Sequence, residues 1–483
     1  CPYDPEREIF KLPEYLNKML ENKWLGQKSN QGFYKKIDKG VIHSIDLNTL
    51  EYKPMNKKKY AAFALAKEKT YLRDRIYTIV RSDDIAGDFL WSVISKSLLY
   101  AAENIGSISD DIVSIDNALK WGFGWELGPF EVLDAIGLDY FVKRVKSDGN
   151  KVTPWIDDMV KSGFTCMYVL LDGKKEFYSI QNKDYVPLNY HKKEIYFDIE
   201  KSKKKVIKKH WSASLVDLDD GVAAIELHSV LKPELNPIDG SMTQMLKYGL
   251  DWVADNDYKG LIVSGNGSNF CAGANLNMVL QASEQKNFDS IEKLTNGLQQ
   301  VFQAMKYSNF PVVAAPYGLV LGGGMEMIGG CNVRIAAAES YIGLVEVGVG
   351  LIPGAGGNLR LLSNLSKKIK TNMPGSMPIV QKAFETIGFA KVATSAKQAQ
   401  AFGYMTNEDQ VVVNRSHLLY EAKEYILKNF DSFNPPEVET FKLAGTAGRL
   451  AIKTAAKGMV KSGKISEHDA LIGMKLAHVL TGG

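Results

Sequence analysis

The sequence predicts a multidomain protein: all-α units in the N-terminal part, then an α/β domain that closes with further helices. Three observations carry that reading. The chain has 483 residues, about three times the roughly 150 of a typical domain, so several units with cores of their own are expected. Hydrophobic periodicity is mainly helical as far as a basic run at Lys201-Ser-Lys-Lys-Lys205, where it changes to strand, turn, strand, helix. Beyond that run stand three glycine-rich segments, two of them set between a buried apolar stretch and helical sequence.

In chain order, residues 8–25 carry Ile9, Phe10, Leu12, Leu16, Met19, Leu20, Trp24 and Leu25 at helical spacing and stop at Gly26. Gly32-Phe33-Tyr34 then reads as a short extended piece. Leu16, Met19, Leu20 and Trp24 are matched later by Ile156, Met159, Val160 and Phe164, and Phe33-Tyr34 by Phe177-Tyr178, which predicts two copies of one small unit. Between the copies, residues 84–104 and 109–120 read as helices, the second with capping side chains between Asp110 and Ser114. The aromatic stretch Trp121-Gly-Phe-Gly-Trp125, followed by Gly128, Pro129 and Phe130, is expected to form helix-bundle core. Lys201 to Lys205 and Lys208-Lys209-His210 lack interleaved aromatics and read as a solvated linker. After them, 214–217 and 222–227 flank a turn at Asp219-Asp220-Gly221, 242–253 is an amphipathic helix, and 260–264, 311–315 and 332–336 are strands between helices. From Ser416 onward the pattern is helical.

Lys plus Arg (59) against Asp plus Glu (55) leaves +4, with 45% apolar and 24% charged residues. That balance is ordinary for a globular protein and excludes a highly charged disordered chain and a strongly basic nucleic-acid binder. Cys1, Cys166, Cys271 and Cys331 are far apart and lack CxxC spacing, so they read as reduced thiols of a cytoplasmic protein, with no disulfide framework and no metal site. Tyr307 to Met325 is free of charge and nearly long enough to cross a bilayer. Pro311, Pro316 and Gly322-Gly323-Gly324 interrupt it, so a buried strand leading into a glycine turn is expected. Cys1-Pro2-Tyr3 is neither an initiator methionine nor a signal peptide, and the chain is expected to begin inside something longer.

The three glycine-rich segments are Asn269-Phe-Cys-Ala-Gly-Ala-Asn-Leu276, Leu321-Gly-Gly-Gly-Met-Glu-Met327 and Gly343-Leu-Val-Glu346-Val-Gly-Val-Gly-Leu-Ile-Pro353-Gly-Ala-Gly-Gly357. Small residues at helix starts let backbone N–H groups face an oxygen, which is how an oxyanion hole is built. Glu326 and Glu346 each lie just beyond a glycine-lined turn, and two carboxyls sharing one water can act as general acid and base.

In this order the segments resemble the enoyl-CoA hydratase/isomerase family, the crotonases, over residues 213–430, with Pro311-Val-Val-Ala-Ala-Pro-Tyr-Gly318 and Ser395-Ala-Lys-Gln-Ala-Gln-Ala-Phe-Gly403 included. The preceding part looks like the C-terminal helical region of 3-hydroxyacyl-CoA dehydrogenases, in Leu127-Gly128-Pro129-Phe130-Glu131 and in Trp24-Leu25-Gly26 leading to Gly32-Phe33-Tyr34. Dehydrogenase before hydratase is similar to the bacterial bifunctional fatty-acid β-oxidation proteins, and implies a piece of one without its NAD-binding domain. The implied divisions are 1–72, the remainder of a first dehydrogenase C-terminal helical unit; 73–180, a second; 181–210, a basic linker; and 211–483, a crotonase domain of ββα spiral type with C-terminal helices.

The resemblance also implies roles. The backbone amides of Ala274 and Gly323 would hold the thioester oxygen, Glu326 would activate the water that attacks C3, and Glu346 would deliver a proton to C2. Gly354 would help hold that water, and the Ala272 backbone would contact the adenine of CoA. Asn275 departs from the Asp of many hydratases. The implied reaction is hydration of trans-2-enoyl-CoA to 3-hydroxyacyl-CoA, with acyl-CoA as substrate, no cofactor in this chain and NAD belonging to the missing domain. The alternatives are a Δ3,Δ2-enoyl-CoA isomerase, which needs only one base, and a non-catalytic scaffold that docks a thiolase; possession of both glutamates favours hydration. Further copies of the chain and a thiolase are the implied protein partners, and neither nucleic acid nor a membrane span is expected.

Overall fold

The computed structural model describes residues 4, 6–38, 40–230, 232–369 and 375–483; Cys1 and the Cys1-Pro2-Tyr3 terminus lie outside the described residues. The chain divides into two compact units, residues 1–68 with 78–90, and residues 69–77 with 91–483.

In the first unit the helix Glu14–Glu21 precedes an antiparallel meander of β1 (Tyr34–Asp38), β2 (Val41–Ile45) and β3 (Tyr52–Pro54). The second unit holds the same motif, with the helix Pro154–Lys161 before β4 (Tyr168–Leu171), β5 (Lys174–Ser179) and β6 (Asp184–Pro187). Several of their internal hydrogen bonds correspond. Trp24 N donates to Met19 O (2.9 Å) as Phe164 N does to Met159 O (3.2 Å), and both methionines are buried. Tyr52 Oη donates to Gly32 O (2.6 Å) as Tyr185 Oη does to Cys166 O (2.7 Å).

These observations support two copies and correct their alignment. Ile45 N donates to Phe33 O and Tyr178 N to Met167 O, so the counterpart of Phe33-Tyr34 is Met167-Tyr168; Phe177-Tyr178 lies one strand further on. The expectation of all-α units is likewise corrected, since each contains a three-stranded sheet. Strands such as Tyr34-Lys-Lys-Ile-Asp38 are largely exposed and show no clean alternation of period two, which hides them from a periodicity reading.

The helix Ile112–Phe123 starts where expected, with the Asp111 carboxylate accepting from Ser114 N (2.7 Å). The aromatic stretch that begins in its last turn is not core: Trp121 is 81% and Phe123 75% exposed, while Phe130 and Leu133 are buried. Gly124, at φ +67°, ends the helix and turns the chain before the Pro129–Ile136 helix packs inward.

The basic run is structured too. Its first part lies in the helix Phe197–Ser202 and its last in β7 (Val206–Lys209), which pairs antiparallel with β8 (Ala213–Asp217). Lys201 bonds Glu226 (2.9 Å), and Lys203 and Lys205 bond Glu200. The stretch expected as a solvated linker thus holds an edge strand and its ion-paired approach.

The principal sheet has the order β16-β13-β11-β10-β9-β8-β7, where β9 is Val222–Leu227, β10 Gly260–Gly265, β11 Val312–Ala314, β13 Val333–Ala337 and β16 Gln410–Val412. From β9 to β16 its neighbours are parallel. A smaller sheet joins β12 (Gly318–Leu321), β14 (Ser340–Gly343) and β15 (Val392–Ala393). Successive turns of the chain place one strand in the large sheet, one stretch along the small sheet, then a helix. β9, β10 and β11 are buried almost throughout, as parallel strands covered on both faces require. Among the described residues no helix is long and apolar enough to cross a membrane, and Cys166, Cys271 and Cys331 are free thiols.

Candidate active site

Each turn of this architecture delivers one part of the site. After β10 the chain lies along β12, with Phe270 N donating to Tyr317 O (3.1 Å), Cys271 N to Leu319 O (3.0 Å) and Leu321 N to Cys271 O (3.0 Å). It then forms a parallel bridge between Ala274 and Ile238, in which Ile238 N donates to Gly273 O (2.9 Å) and Asn275 N to Ile238 O (3.2 Å). In that pattern the amide of Ala274 itself faces away from Ile238, and no described residue accepts from it.

β12 runs into Gly322, whose φ of +53° turns the chain into the helix Gly323–Gly330. The close approach demands small residues: a Cβ on Gly324 would lie 2.4 Å from Cys271 O. The Gly323 N–H is the first orphan donor of that helix, at the positive end of its dipole. A Cβ built on Gly323 would lie 3.4 Å from Ala274 N, so the two unengaged amides stand side by side.

Glu326 sits in the first turn of this fully buried helix. Its Oε1 accepts from Ala355 N (2.7 Å) and Gly357 N (2.9 Å), the latter at the start of the helix Gly357–Lys368. Glu346 begins a short 3-10 turn after β14. The approach to it is fixed by Tyr404, whose hydroxyl accepts from Leu344 N (3.3 Å) and donates to Lys391 O (2.7 Å). Both carboxyl oxygens of Glu346 are buried and have no hydrogen-bond partner among the described residues. A Cβ on Gly322 would lie 3.5 Å from Glu346 Oε1, which sets this carboxyl against the turn that presents the Gly323 amide.

Burial raises both acids. Glu346 is pushed up to about 8 by loss of solvent, with the charge of Glu326 adding to it. Glu326 is also raised by burial, but the amides of Gly357, Ala355 and Gly356 pull it back. The two short amide bonds on Glu326 favour its carboxylate form, whereas Glu346 receives only minor lowering from the Val345 amide and its own, with no hydrogen bond formed.

Of the six residues singled out in the sequence, Ala274, Gly323, Glu326 and Glu346 come together in this way. Gly354 adjoins them through Ala355, and its carbonyl accepts from Gln299 Nε2 (2.6 Å). Ala272 commits its amide to Leu235 O (2.8 Å). Asn275 caps the helix Leu276–Glu284 by accepting from Asn277 N (3.2 Å), which gives the departure at this position a structural use. Sequence reasoning missed the amides of Ala355 and Gly357 as the donors on Glu326. Their signal was the Pro353-Gly-Ala-Gly-Gly357 run. Burial pushes the thiols of Cys271 and Cys331 up to about 12, which removes them as nucleophiles. No cluster of described His, Cys, Asp and Glu residues could hold a metal ion.

Residues 217–375 match the family model for enoyl-CoA hydratase/isomerase, so the C-terminal part carries a crotonase domain. A "Probable 3-hydroxyacyl-CoA dehydrogenase" of Bacillus subtilis (strain 168) is 42% identical over 479 residues, covering 99% of this chain and 59% of that protein. A "Putative fatty acid oxidation complex trifunctional enzyme" of Rickettsia felis is 28% identical over 357 residues, 73% of this chain and 44% of that protein. A "Probable enoyl-CoA hydratase" of Bacillus subtilis (strain 168) is 29% identical over 218 residues, 43% of this chain and 82% of that protein. The chain is thus homologous to proteins of fatty-acid oxidation and spans about half the length of the first curated relatives it matches.

Proposed function

We propose that this chain hydrates trans-2-enoyl-CoA to the 3-hydroxyacyl thioester. The observation that carries the reading is the pairing of Glu326, held by two amides, with Glu346, buried and without a hydrogen-bond partner, beside the unengaged amides of Ala274 and Gly323. The thioester oxygen sits between those amides, each worth about 3 kcal/mol as negative charge develops on it. Water gives a proton to Glu326 as its oxygen bonds to C3, and the electrons of the C2=C3 bond pass to the thioester oxygen. Glu346 then protonates C2 and the carbonyl re-forms. Return of the proton from Glu326 to Glu346 resets the pair, so the net change is one water added.

An isomerase would need only one of the two acids. Incubating the chain with crotonyl-CoA and weighing the product separates the readings. Gain of one water supports hydration, unchanged mass with a moved double bond indicates isomerisation, and unreacted substrate indicates a scaffold.

A further inference from the structure

A second charged cluster lies at the opposite end of the helix Gly323–Gly330, about 9 Å along the axis from the Gly323 amide at 1.5 Å per residue. There Gly329 borders a cavity of about 400 Å3 whose wall carries Lys306, Arg334, Arg360, Lys367 and Lys368 against a single carboxylate, Glu408. Two of the five cations pair with acids that do not line the cavity: Arg334 Nη2 bonds Asp409 Oδ2 (2.6 Å), and Lys367 bonds Glu439. Lys368 Nζ donates to the carbonyls of Gln400 (2.7 Å) and Ala401 (2.9 Å), and Arg360 Nη2 to Gln303 Oε1 (2.8 Å). Among the described residues neither Lys306 nor Arg360 has a carboxylate within ion-pair distance.

Part of this charge answers the carbonyl end of the helix. Lys306 Nζ and Arg334 Nη1 both approach Cys331 O, but at 3.4 and 3.5 Å, long contacts that use one donor of each. Arg334 is only 4% exposed, and its Nε has no partner. Gln400 Oε1, also buried on this wall, is an acceptor without a donor. Burial and the charges of Arg334, Arg360 and Lys367 hold the Lys306 ammonium down to about 8, with the Cys331 thiol acting weakly the other way. Such a wall is short of negative charge and short of acceptors for its cations. A phosphate supplies both, and its protonated oxygen can donate to Gln400.

We propose that the cavity lined by Lys306, Arg334, Arg360, Lys367 and Lys368 binds a phosphate-bearing anion, at a site separate from the one that holds the thioester. The test is calorimetric titration of the full chain with pyrophosphate and, separately, with ADP, using wild type, Lys306→Met and Arg360→Gln, with thermal unfolding recorded for each variant. Saturable binding by wild type, weakened about tenfold or more in both variants, is the expected result, since an ion-paired group typically contributes at least 1.4 kcal/mol of affinity in such a setting. At pH 8 the anion should raise Lys306 toward its ordinary range, so binding takes up protons, seen by comparing buffers of different ionisation enthalpy; Lys306→Met should abolish the uptake. Tighter binding of ADP than pyrophosphate identifies a nucleotide as the source, and the reverse order an inorganic phosphate. Absence of saturable binding by wild type, or binding that Arg360→Gln retains in full, overturns the proposal.

Discussion

Two pairs of buried carboxyls in this chain look alike by their acidity and differ in what their oxygens do. Asp116 and Asp134, beside the second meander, are pushed up by burial to about 7 and about 6. Glu326 and Glu346, in the glycine-lined site, are raised by the same cause. Yet all four oxygens of the aspartates are engaged. Asp116 accepts from Phe130 N (2.7 Å) and Tyr168 Oη (2.7 Å), and Asp134 from Met167 N (2.6 Å) and Tyr168 N (3.0 Å). Neither oxygen of Glu346 is. A raised pKa therefore marks burial, whereas a buried carboxyl left without partners marks a place kept for a reacting group.

The sharpest way to break this comparison is at the Gly323 amide, in the turn beside Glu346. Gly323→Val should abolish turnover of crotonyl-CoA in a folded protein, because its Cβ would stand 3.1 Å from Ile238 Cδ1 and beside the Ala274 amide. Wild-type activity in that variant would place the oxyanion hole elsewhere, and loss of folding would mean that the triple glycine serves packing alone. Next in size, Glu326→Gln and Glu346→Gln should each lower kcat by roughly 10² or more, while Asp116→Asn keeps near-full turnover. Equal losses in all three, measured by steady-state kinetics, would erase the distinction between the pairs.

The aspartates should answer in stability. Asp134→Asn turns one acceptor into a donor facing a backbone N–H, and should cost about 1–3 kcal/mol in denaturant unfolding; an unchanged midpoint would show that the clamp on Met167 and Tyr168 is dispensable. The smallest effect is a pH dependence. The folded state holds a proton on Glu346 up to about 8, against an ordinary value of 4.5. Its contribution to stability is therefore complete below about 4.5 and lost as pH rises through about 8. Glu346→Gln should gain on wild type between pH 5 and pH 9 by about 2 °C in Tm or more. A constant difference would mean that Glu346 is not protonated in the folded protein.

The crotonase-like part of the molecule was legible because its glycine turns and the glutamates after them are local in sequence. The strand expected at 260–264 is observed at Gly260–Gly265, the helix at 242–253 lies within Gly240–Asp255, and both glutamates follow the glycine turns that present them. What escaped was non-local. The lysines of β7 stay exposed, and only pairing with β8 makes their backbone a strand; nothing near Glu326 announces that Ala355 and Gly357 will supply its donors. The aromatics from Trp121 to Trp125 signal apolar surface without saying whether it is covered. The short meanders combine exposed faces with mixed polarity, so only the turn residues and the repeated tyrosine bonds of Tyr52 and Tyr185 reveal them.

The central claim is that the buried pair adds water to an enoyl thioester. Its most direct test is turnover of crotonyl-CoA in water labelled with heavy oxygen, comparing wild type with Glu326→Gln. Label in the new hydroxyl of a 3-hydroxyacyl product, formed by wild type and slowed roughly 10²-fold in the variant, is the predicted result. An unlabelled product of unchanged mass, or labelling that proceeds as fast without the Glu326 carboxylate, would contradict it.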